Sequence, residues 1–499
     1  MKKFKILSVL LIILLMTSLL PTAALAVDEP EISARAAIIA NTATGEVYYS
    51  KNADATVQPA STTKLVTALI VAEAVDRGEI ALSDVVTASD NCQYNLEPDS
   101  TNAEPAIVPG EEMTVQDLMY CMMLVSANEA CNILAEHVSG SVSAFVDRMN
   151  QRAQELGCSG THFANANGLE ESDHYTTAAD FAVLTQEALR HPLVLEICGT
   201  LTYSVAATNK TGARELTNTN SLINPDSSYY SEYAYGVKTG YFSNAGYCLV
   251  SAADKDDIDV ICVVMGAAEA GGNFSDTLTL YNWMFSNFEN KPILSTTETL
   301  MPVAVSLGTE ESTGVRADTV VSAILPNDYD MSHIQRHAIL YHERDDEELI
   351  APVNAGQVLG EVTVVEVDDN NQVVRTFGTS LLVATSTVEM SRMNYLRSQI
   401  SDLFKTPAVR RIVTILILLL AVYILLVFFY TVQRVRHLHS VREAKRQRAA
   451  RRAAEEAEWL EFPDDEEDAE PQIEYFEEPE QISGRSAQDD FFDSFFDDK

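Results

Sequence analysis

The chain has 499 residues and a formal net charge of −39, from 34 Lys and Arg residues against 73 Asp and Glu residues. Hydrophobic residues make up 46% of the chain and aromatic residues 8%, a composition typical of globular proteins and not of disordered ones. Residues 27–404 alone carry 18 basic and 53 acidic side chains. This acidic body argues against nucleic-acid binding, because phosphate contacts need a basic face.

The N-terminus has the pattern of a secretory signal peptide. Three lysines (Lys2, Lys3 and Lys5) precede an apolar run from Ile6 to Leu20, and the small-residue site Ala24-Leu25-Ala26 follows. These features predict export and cleavage after Ala26, which makes residues 1–26 a signal peptide. An uncleaved anchor helix is the alternative interpretation.

A second apolar run predicts a single transmembrane helix at residues 412–432. The run has no charged residue, and at about 1.5 Å per residue it is long enough to cross a hydrocarbon core of about 30 Å. Residues 405–454 carry 11 basic side chains and one acidic side chain, and most of the basic ones follow the span. The positive-inside rule therefore places residues 433–499 in the cytoplasm and the body outside, with a juxtamembrane stretch at 389–411 between them.

The cytoplasmic part begins as a basic, alanine-rich stretch and ends as an acidic tail. Residues 455–499 carry 2 basic and 19 acidic side chains, and the aromatic repeat Phe491-Phe492-Asp493-Ser494-Phe495-Phe496-Asp497 lies near the end. This composition predicts disorder. A cytoplasmic partner for the tail and a solvated tail without a partner are equally good interpretations.

The exported body divides into two predicted domains. Residues 27–292 combine a strand hairpin at 36–51, a helix from Ser61 to about Val75 and further helices and strands, which predicts an α+β domain. Residues 295–388 contain β-branched runs separated by Gly, Asp and Asn, which predicts a small all-β domain.

No metal site or cofactor is predicted. The seven cysteines include no C-x-x-C pair, and no glutamate follows His333 in the manner of a zinc-protease helix with His337. Most cysteines are expected to be small buried hydrophobic side chains. Cys248 and Cys262 flank a predicted turn and are candidate neighbours.

Three short motifs carry the chemistry, and the first is Ser61-Thr62-Thr63-Lys64. A serine and a lysine three residues apart at a helix start lie on the same face. Unpaired helix N–H groups favour negative charge that develops at such a serine, and the amine can act as a base when burial or a second cation lowers its pKa. Alone, this spacing is common by chance, and a helix cap explains Ser61 as well.

The second motif, Ser126-Ala127-Asn128, connects two predicted helices. A hydroxyl and an amide at such a place can relay a proton and orient a substrate amide. Helix capping is the alternative interpretation.

The third motif, Lys238-Thr239-Gly240, lies on a predicted strand. Its lysine and threonine can hold a carboxylate, and its glycine lets a peptide approach the strand edge. A second copy, Lys210-Thr211-Gly212, is interpreted as a turn with the same residues by coincidence.

In this order the motifs form the active-serine signature of penicillin-binding proteins and serine β-lactamases. The flanking segments narrow the assignment: Gly45-Glu46-Val47-Tyr48, Pro59-Ala60, Gly168-Leu169, His174-Tyr175, Gly236-Val237 and Gly356-Gln357-Val358-Leu359-Gly360. With them, residues 30–390 resemble the low-molecular-mass penicillin-binding proteins, the serine-type D-alanyl-D-alanine carboxypeptidases. The resemblance implies a penicillin-binding/serine β-lactamase-like catalytic domain followed by a small all-β domain, and a role in cell-wall biogenesis and cell shape.

The resemblance also implies a role for each motif residue. Ser61 would attack the carbonyl between the two terminal D-alanines of a peptidoglycan stem peptide, Lys64 would take its proton, and Ser126 would help to protonate the leaving D-alanine. Asn128 would orient the peptide.

For substrate binding, the resemblance implies that Lys238 and Thr239, beside Gly240, would hold the terminal carboxylate. The backbone N–H groups of Ser61 and Tyr241 would form the oxyanion hole. Lys238 would also help to keep Lys64 neutral, and β-lactams would be inhibitors that trap Ser61.

Three departures and three alternatives accompany this resemblance. Asn167, Phe242 and Asn273 stand where the family often has a histidine, a threonine and a basic residue, which puts one carboxylate contact in doubt. A D,D-endopeptidase acting on cross-links would use the same residues, and a non-catalytic scaffold would only retain wall peptides. A β-lactamase is disfavoured, because the loop with Glu170 and Glu171 has no E-x-x-x-N arrangement for a deacylating water.

Overall fold

The computed structural model describes residues 29–96, 100 and 102–458, with side chains as far as Glu455. Within this range, residues up to Asn394 belong to one unit and residues from Tyr395 to a second. The predicted signal peptide at 1–26 and the acidic tail beyond 458 lie outside the described residues.

Helices and strands are interspersed in the first 290 residues. The strands are β1 (Ala36–Asn41), β2 (Val47–Lys51), β3 (Val85–Thr87), β4 (Glu112–Thr114), β5 (Thr202–Val205), β6 (Arg214–Thr217), β7 (Ala234–Phe242), β8 (Gly246–Lys255) and β9 (Ile258–Ala267). The helices are α1 (Lys64–Asp76), α2 (Val115–Leu124), α3 (Asn128–Ser139), α4 (Val142–Glu155), α5 (Ala178–Leu189), α6 (Pro192–Gly199) and α7 (Gly272–Asn287). The predicted hairpin at 36–51 is β1–β2.

A five-stranded antiparallel sheet in the order β2-β1-β9-β8-β7 forms the centre of this part. The strand β9 is an almost continuous apolar run, and all but one of its residues are buried. Such a run is typical of a strand that is covered on both faces. Strand β7 lies at the edge of the sheet, so its outer side is available to an extended peptide.

Helix α1 is buried in the middle of the domain. Ten of its 13 residues are buried, as expected for a helix that is apolar all round. The predicted helix start at Ser61 differs from the structure, in which a 3-10 turn at Ala60–Thr63 precedes the helix. The hydroxyls of Thr62 and Thr63 donate to the carbonyl oxygens of Pro59 and Ala60, at 2.6 and 2.8 Å, and such local bonds compete with helical ones.

The following residues form two further sheets with a core of their own. Their elements are β10 (Phe288–Leu294), β11 (Met301–Ala304), β12 (Ser312–Ala317), β13 (Val321–Pro326), β14 (Ile334–Leu340), α8 (Tyr341–Arg344), β15 (Val358–Val367) and β16 (Val373–Ala384). Strands β10 and β13 pair, and the other five are ordered β11-β12-β16-β15-β14. Ile324 of β13 packs against the core around α7, and Arg375 of β16 forms an ion pair with Glu46.

Two helices, α9 (Arg392–Lys405) and α10 (Pro407–Glu458), follow in the chain. Helix α10 includes the predicted span at 412–432 and the basic stretch after it. Its most apolar window has a mean hydropathy of 3.3, and it is the one helix among the described residues that is long and apolar enough to cross a membrane.

All seven cysteines are buried and unpaired. The strand register places Cys248 opposite Gly240 and Cys262 opposite Ser251, so the two candidate neighbours do not face each other. Burial raises the pKa of each thiol, for example that of Cys198 to about 12, which keeps the thiols protonated and unreactive.

Candidate active site

Ser61 lies in the 3-10 turn before α1 and close against strand β7. A Cβ atom added to Gly240 would lie 3.0 Å from the backbone nitrogen of Ser61 and 3.0 Å from that of Thr62. This distance is too tight for a side chain, so the glycine of the third motif lets the strand approach the serine. Ala60, just before the serine, has a φ of +50°, which is a strained conformation for a residue with a side chain.

Lys64 is fully buried behind Ser61. Its Nζ donates to Ser61 Oγ at 3.0 Å, to Asn128 Oδ1 at 2.7 Å and to the backbone oxygen of Asn167 at 2.6 Å. These three bonds use all donors of an ammonium group. When the amine is neutral it has one lone pair, and the hydroxyl of Ser61 can then donate to Nζ.

The second motif, Ser126-Ala127-Asn128, lies at the junction of helices α2 and α3. Ser126 has a φ of +62°, and its hydroxyl is buried without a hydrogen-bond partner among the described residues. An unsatisfied buried hydroxyl is costly and is expected where a ligand or a reaction step supplies the partner. Asn128 begins α3 and its Oδ1 is bound to Lys64, so only its amide nitrogen remains as a donor to a substrate carbonyl.

The third motif lies on the edge strand β7. Lys238 is buried, and its Nζ donates to the backbone oxygen of Thr239 at 3.1 Å. The hydroxyl of Thr239 lies 2.8 Å from that of Thr219. The strand therefore carries an amine, a hydroxyl and a glycine in succession, and the glycine packs against the turn that carries Ser61.

Burial lowers the pKa of both lysines. The pKa of Lys64 falls to about 8, mainly because burial disfavours its charged form. The pKa of Lys238 falls to about 7, through burial first and then through the charge of Lys64. The resemblance attributed the neutral state of Lys64 partly to Lys238, whereas the structure makes burial the main cause for both lysines.

Residues 167 and 168 complete the site through the main chain. The backbone oxygen of Asn167 is one of the three acceptors around Lys64. Gly168 has a φ of +84°, and a Cβ atom there would lie 1.9 Å from the backbone oxygen of Ala60. The glycine is therefore required for the loop to pack against the turn that carries the nucleophile. The sequence offered only the pair Gly168-Leu169, as part of the resemblance.

His174 contacts the 3-10 turn at Ala60–Thr63 that carries Ser61. Its Nδ1 accepts from the backbone N–H of Ala164 at 3.1 Å, so Nε2 carries the proton and donates to the hydroxyl of Thr63 at 2.8 Å. Thr63 in turn donates to Ala60. Burial lowers the pKa of His174 to about 4, so the imidazole is neutral and this chain of donors keeps one direction.

A cavity of about 540 Å³ opens in front of the serine. Most of its lining residues are polar or aromatic, and they come from several parts of the chain: Ser61, Asn95, Ser100, Asn128, Gly168, Leu169, Glu170, Glu171, Tyr241, Phe242 and Ser243. A cavity of this size, with a nucleophile and its base at one end, can hold a short peptide.

Comparison with known proteins decides the family. The family model for D-alanyl-D-alanine carboxypeptidase matches residues 23–269. The D-alanyl-D-alanine carboxypeptidase DacF of Bacillus subtilis (strain 168) is 31% identical over 362 residues, covering 71% of this chain and 89% of its own length. The chain belongs to the D-alanyl-D-alanine carboxypeptidase family. The family predicted from the sequence motifs and the predicted enzyme class, a serine-type peptidase, are thus confirmed.

Two further relatives support this assignment. The carboxypeptidase DacC of Escherichia coli (strain K12) is 30% identical over 344 residues, covering 67% of this chain and 81% of its own length. Penicillin-binding protein 5 from Haemophilus influenzae has a similar fold, with a TM-score of 0.55 at 28% identity, over 73% of this chain and 99% of that one. The predicted fold class, a penicillin-binding protein-like fold, is confirmed as well.

The three departures from the family pattern fall at different places in the carboxypeptidase. Asn167 contacts Lys64 through its backbone, so the change of side chain leaves this contact intact. Phe242 lines the cavity. Asn273 is buried and donates to the backbone oxygen of Cys248, which makes it part of the packing of α7 on β8.

Other candidate residues lie elsewhere. The second copy, Lys210-Thr211-Gly212, is a turn between β5 and β6, where Lys210 is exposed and lies over Gly110. Among the described residues, the one group with metal-ligand spacing is Glu73, Glu187 and His191. Arg152 already binds both of these glutamates, at 2.7 and 2.6 Å, which supplies the positive charge a metal would bring.

Proposed function

We propose that this carboxypeptidase removes the terminal D-alanine from peptidoglycan stem peptides through an ester on Ser61. The observation that carries the proposal is the 3.0 Å bond between Lys64 Nζ and Ser61 Oγ in a buried position that lowers the pKa of the amine. A nucleophile and a base within hydrogen-bond distance, with the base held by further partners, is the arrangement that covalent catalysis needs.

In acylation, Lys64 takes the proton as Ser61 Oγ attacks the carbonyl between the two D-alanines. The negative charge that forms on the carbonyl oxygen is stabilised by the backbone N–H groups of Ser61 and Tyr241. The close packing of Gly240 on Ser61 supports this pairing of turn and strand. The proton then passes through the unpartnered hydroxyl of Ser126 to the leaving amine, and water later hydrolyses the ester.

The protonation states of Lys64 and Lys238 are coupled through their charges. The substrate carboxylate, held by Lys238 and Thr239, favours the charged form of Lys238. A charged Lys238 disfavours a charged Lys64, because like charges repel at short range. In the free enzyme the pKa of Lys64 is the higher of the two, so a single proton lies on Lys64. Binding of the carboxylate moves this proton to Lys238 and frees the lone pair of Lys64, while the amide of Asn128 orients the peptide.

These pKa values predict a bell-shaped pH dependence of kcat/KM. Below the pKa of Lys238, about 7, both amines are charged and Lys64 cannot accept a proton. Above the pKa of Lys64, about 8, both are neutral and Lys238 no longer attracts the carboxylate. The active form carries one proton on the pair, so the profile should be highest between these values. A rate that rises steadily across the whole range would contradict this account.

Release of D-alanine tests the substrate assignment. The full chain in detergent should release one D-alanine from each peptide that ends in D-alanyl-D-alanine, and Ser61→Ala should release none. A cross-linked peptide dimer serves as the second substrate. Faster cleavage of the dimer would favour the D,D-endopeptidase, and no cleavage of either substrate by folded wild type would favour the non-catalytic scaffold. β-Lactams should inhibit by acylating the same serine.

We further infer that the carboxypeptidase is anchored in the membrane by residues 412–432, with domains at 27–292 and 295–388 outside the cell membrane and residues 433–499 in the cytoplasm. The apolar helix α10 and the basic residues after it support this orientation. The separate hydrophobic core between Ile293 and Val388 supports the second domain. Protease added to intact spheroplasts should digest the body and spare a C-terminal epitope tag; digestion of the tag alone would reverse the orientation.

A further inference from the structure

Three cations stand just before the predicted span, on the side that the proposed anchor places outside the cell membrane. They are Lys405, Arg410 and Arg411. The positive-inside rule accounts for the basic residues that follow the span, and it gives no reason for these three. The inference drawn from them rests on the proposed membrane anchor.

Side chains of this stretch form a groove at the start of helix α10, which we call the arginine groove. From Pro407 onwards its residues recur every three or four positions, so they share one face of the helix. The groove has a volume of about 520 Å³ and is lined by residues from the end of α9 and the first turns of α10: Lys405, Pro407, Arg410, Arg411, Thr414 and Ile415. Its cationic end therefore continues directly into the apolar surface of the span.

The charges of the two arginines are uncompensated. Lys405 Nζ lies 2.9 Å from Asp402 Oδ1, so this pair is close to neutral. Residues 403–442 contain no Asp or Glu, and neither Arg410 nor Arg411 has a carboxylate within ion-pair distance among the residues that the structure describes. Both arginine side chains are exposed. The N-terminal end of α10 adds a partial positive charge to theirs.

The position of the groove along the helix matches the layer of lipid phosphates. Arg410 and Arg411 precede Ile412, the first residue of the predicted span, by about 1.5–3 Å, and Lys405 precedes it by about 10 Å. The headgroup layer is about 5–8 Å thick on each side of the hydrocarbon core. The arginines therefore lie at its inner boundary, where a guanidinium can bind a phosphate through two parallel N–H bonds.

We propose that the arginine groove binds a membrane lipid with an anionic headgroup, which places the phosphate between Arg410 and Arg411 and an acyl chain along Ile415. A zwitterionic headgroup carries its own cation, which the two arginines repel, so the groove prefers the anionic lipid. Arginines that only extend towards the interface would lie at the same depth without distinguishing headgroups. Preference for the anionic headgroup is thus the property that identifies a binding site.

Quenching of a single fluorophore beside the groove tests the proposal on the full chain in vesicles. Ala408→Cys supplies an exposed thiol for the fluorophore, whereas the seven native thiols are buried. The vesicles contain equal parts of phosphatidylglycerol and phosphatidylcholine, and one or the other carries a nitroxide quencher near the head of an acyl chain. Phosphatidylglycerol should quench about five times more strongly, and the Arg410→Gln, Arg411→Gln double variant should reduce this ratio to about one. The wild-type ratio should fall as salt screens the charges.

A matched control separates the groove from the basic stretch on the other side of the span. The Arg434→Gln, Arg436→Gln variant removes the same charge there and should leave the ratio unchanged. A wild-type ratio near one, a ratio that the first double variant does not change, or a ratio that the control abolishes would overturn the proposal.

Two further arms distinguish the source of the phosphate and the underlying anchor. Inorganic phosphate added at constant ionic strength should leave the quenching ratio unchanged; a fall to about one would assign the groove to free phosphate and overturn the lipid site. Quenching by neither lipid would place residue 408 away from the membrane. That result would refute the proposed anchor itself, whereas quenching by both lipids to the same extent would refute only the lipid site.

Discussion

Replacing Lys64 by methionine is expected to lower the second-order rate constant for acylation by benzylpenicillin by about a thousandfold or more. The amine is the group within 3.0 Å of Ser61 Oγ that can accept its proton. Methionine keeps an unbranched apolar chain in the buried position and removes the basic nitrogen, and with it the donor to Asn128 Oδ1 and the backbone oxygen of Asn167. The rate constant is measured from the time course of labelling, and thermal denaturation of the same sample shows whether the variant is folded.

The second copy of the third motif supplies the control for this variant. Lys210 is exposed in the turn Lys210-Thr211-Gly212, so benzylpenicillin should acylate the Lys210→Met protein at the wild-type rate. A folded Lys64→Met protein that retains more than about a tenth of the wild-type rate would contradict the assignment of Lys64 as the base.

Replacing Gly168 by alanine is expected to reduce acylation by about a hundredfold or more and to destabilise the fold by about 3 kcal/mol or more. The added Cβ would meet the backbone oxygen of Ala60 at 1.9 Å and the hydroxyl of Thr63 at 2.9 Å. Either the loop or the nucleophile turn must move. The loop also carries the Asn167 oxygen that holds Lys64, so movement of either part misplaces the base relative to Ser61.

Gly157→Ala separates this clash from the strain of a positive φ. Gly157 has a φ of +81°, close to that of Gly168, but nothing lies within 4 Å of its added Cβ. The control should cost about 1–2 kcal/mol of stability and leave the acylation rate of the folded protein unchanged. Equal effects of the two variants on acylation would show that Gly168 acts only through backbone strain and that the contact with Ala60 has no catalytic importance.

Much of this site could be predicted from sequence, because its chemistry depends on side chains in short motifs. Ser61, Lys64 and Asn128 were expected to act together, and the structure joins them by hydrogen bonds. The catalytic roles themselves stay predictions. The hairpin at 36–51 was also predictable, since alternating strands around a Thr44-Gly45 turn are a local pattern.

The supports of the site were not predictable, because they join residues about 100 positions apart through the main chain. The contact of Asn167 with Lys64 uses a backbone oxygen, which every residue has. The need for glycine at position 168 arises from the nearby oxygen of Ala60, which no local pattern reveals. The sequence predicts a regular helix from Ser61, whereas the structure has a 3-10 turn at Ala60–Thr63 that begins with the strained φ of Ala60, a conformation that an alanine does not favour by itself.

Acylation of Ser61 by a fluorescent penicillin tests the central claim most directly. The full chain and its Ser61→Ala variant are incubated with the label, separated on a denaturing gel and digested to locate the labelled peptide. We predict covalent label on the wild type alone, in the peptide that contains Ser61. Equal labelling of the variant, or no label and no β-lactam hydrolysis by folded wild type, would contradict a nucleophilic Ser61.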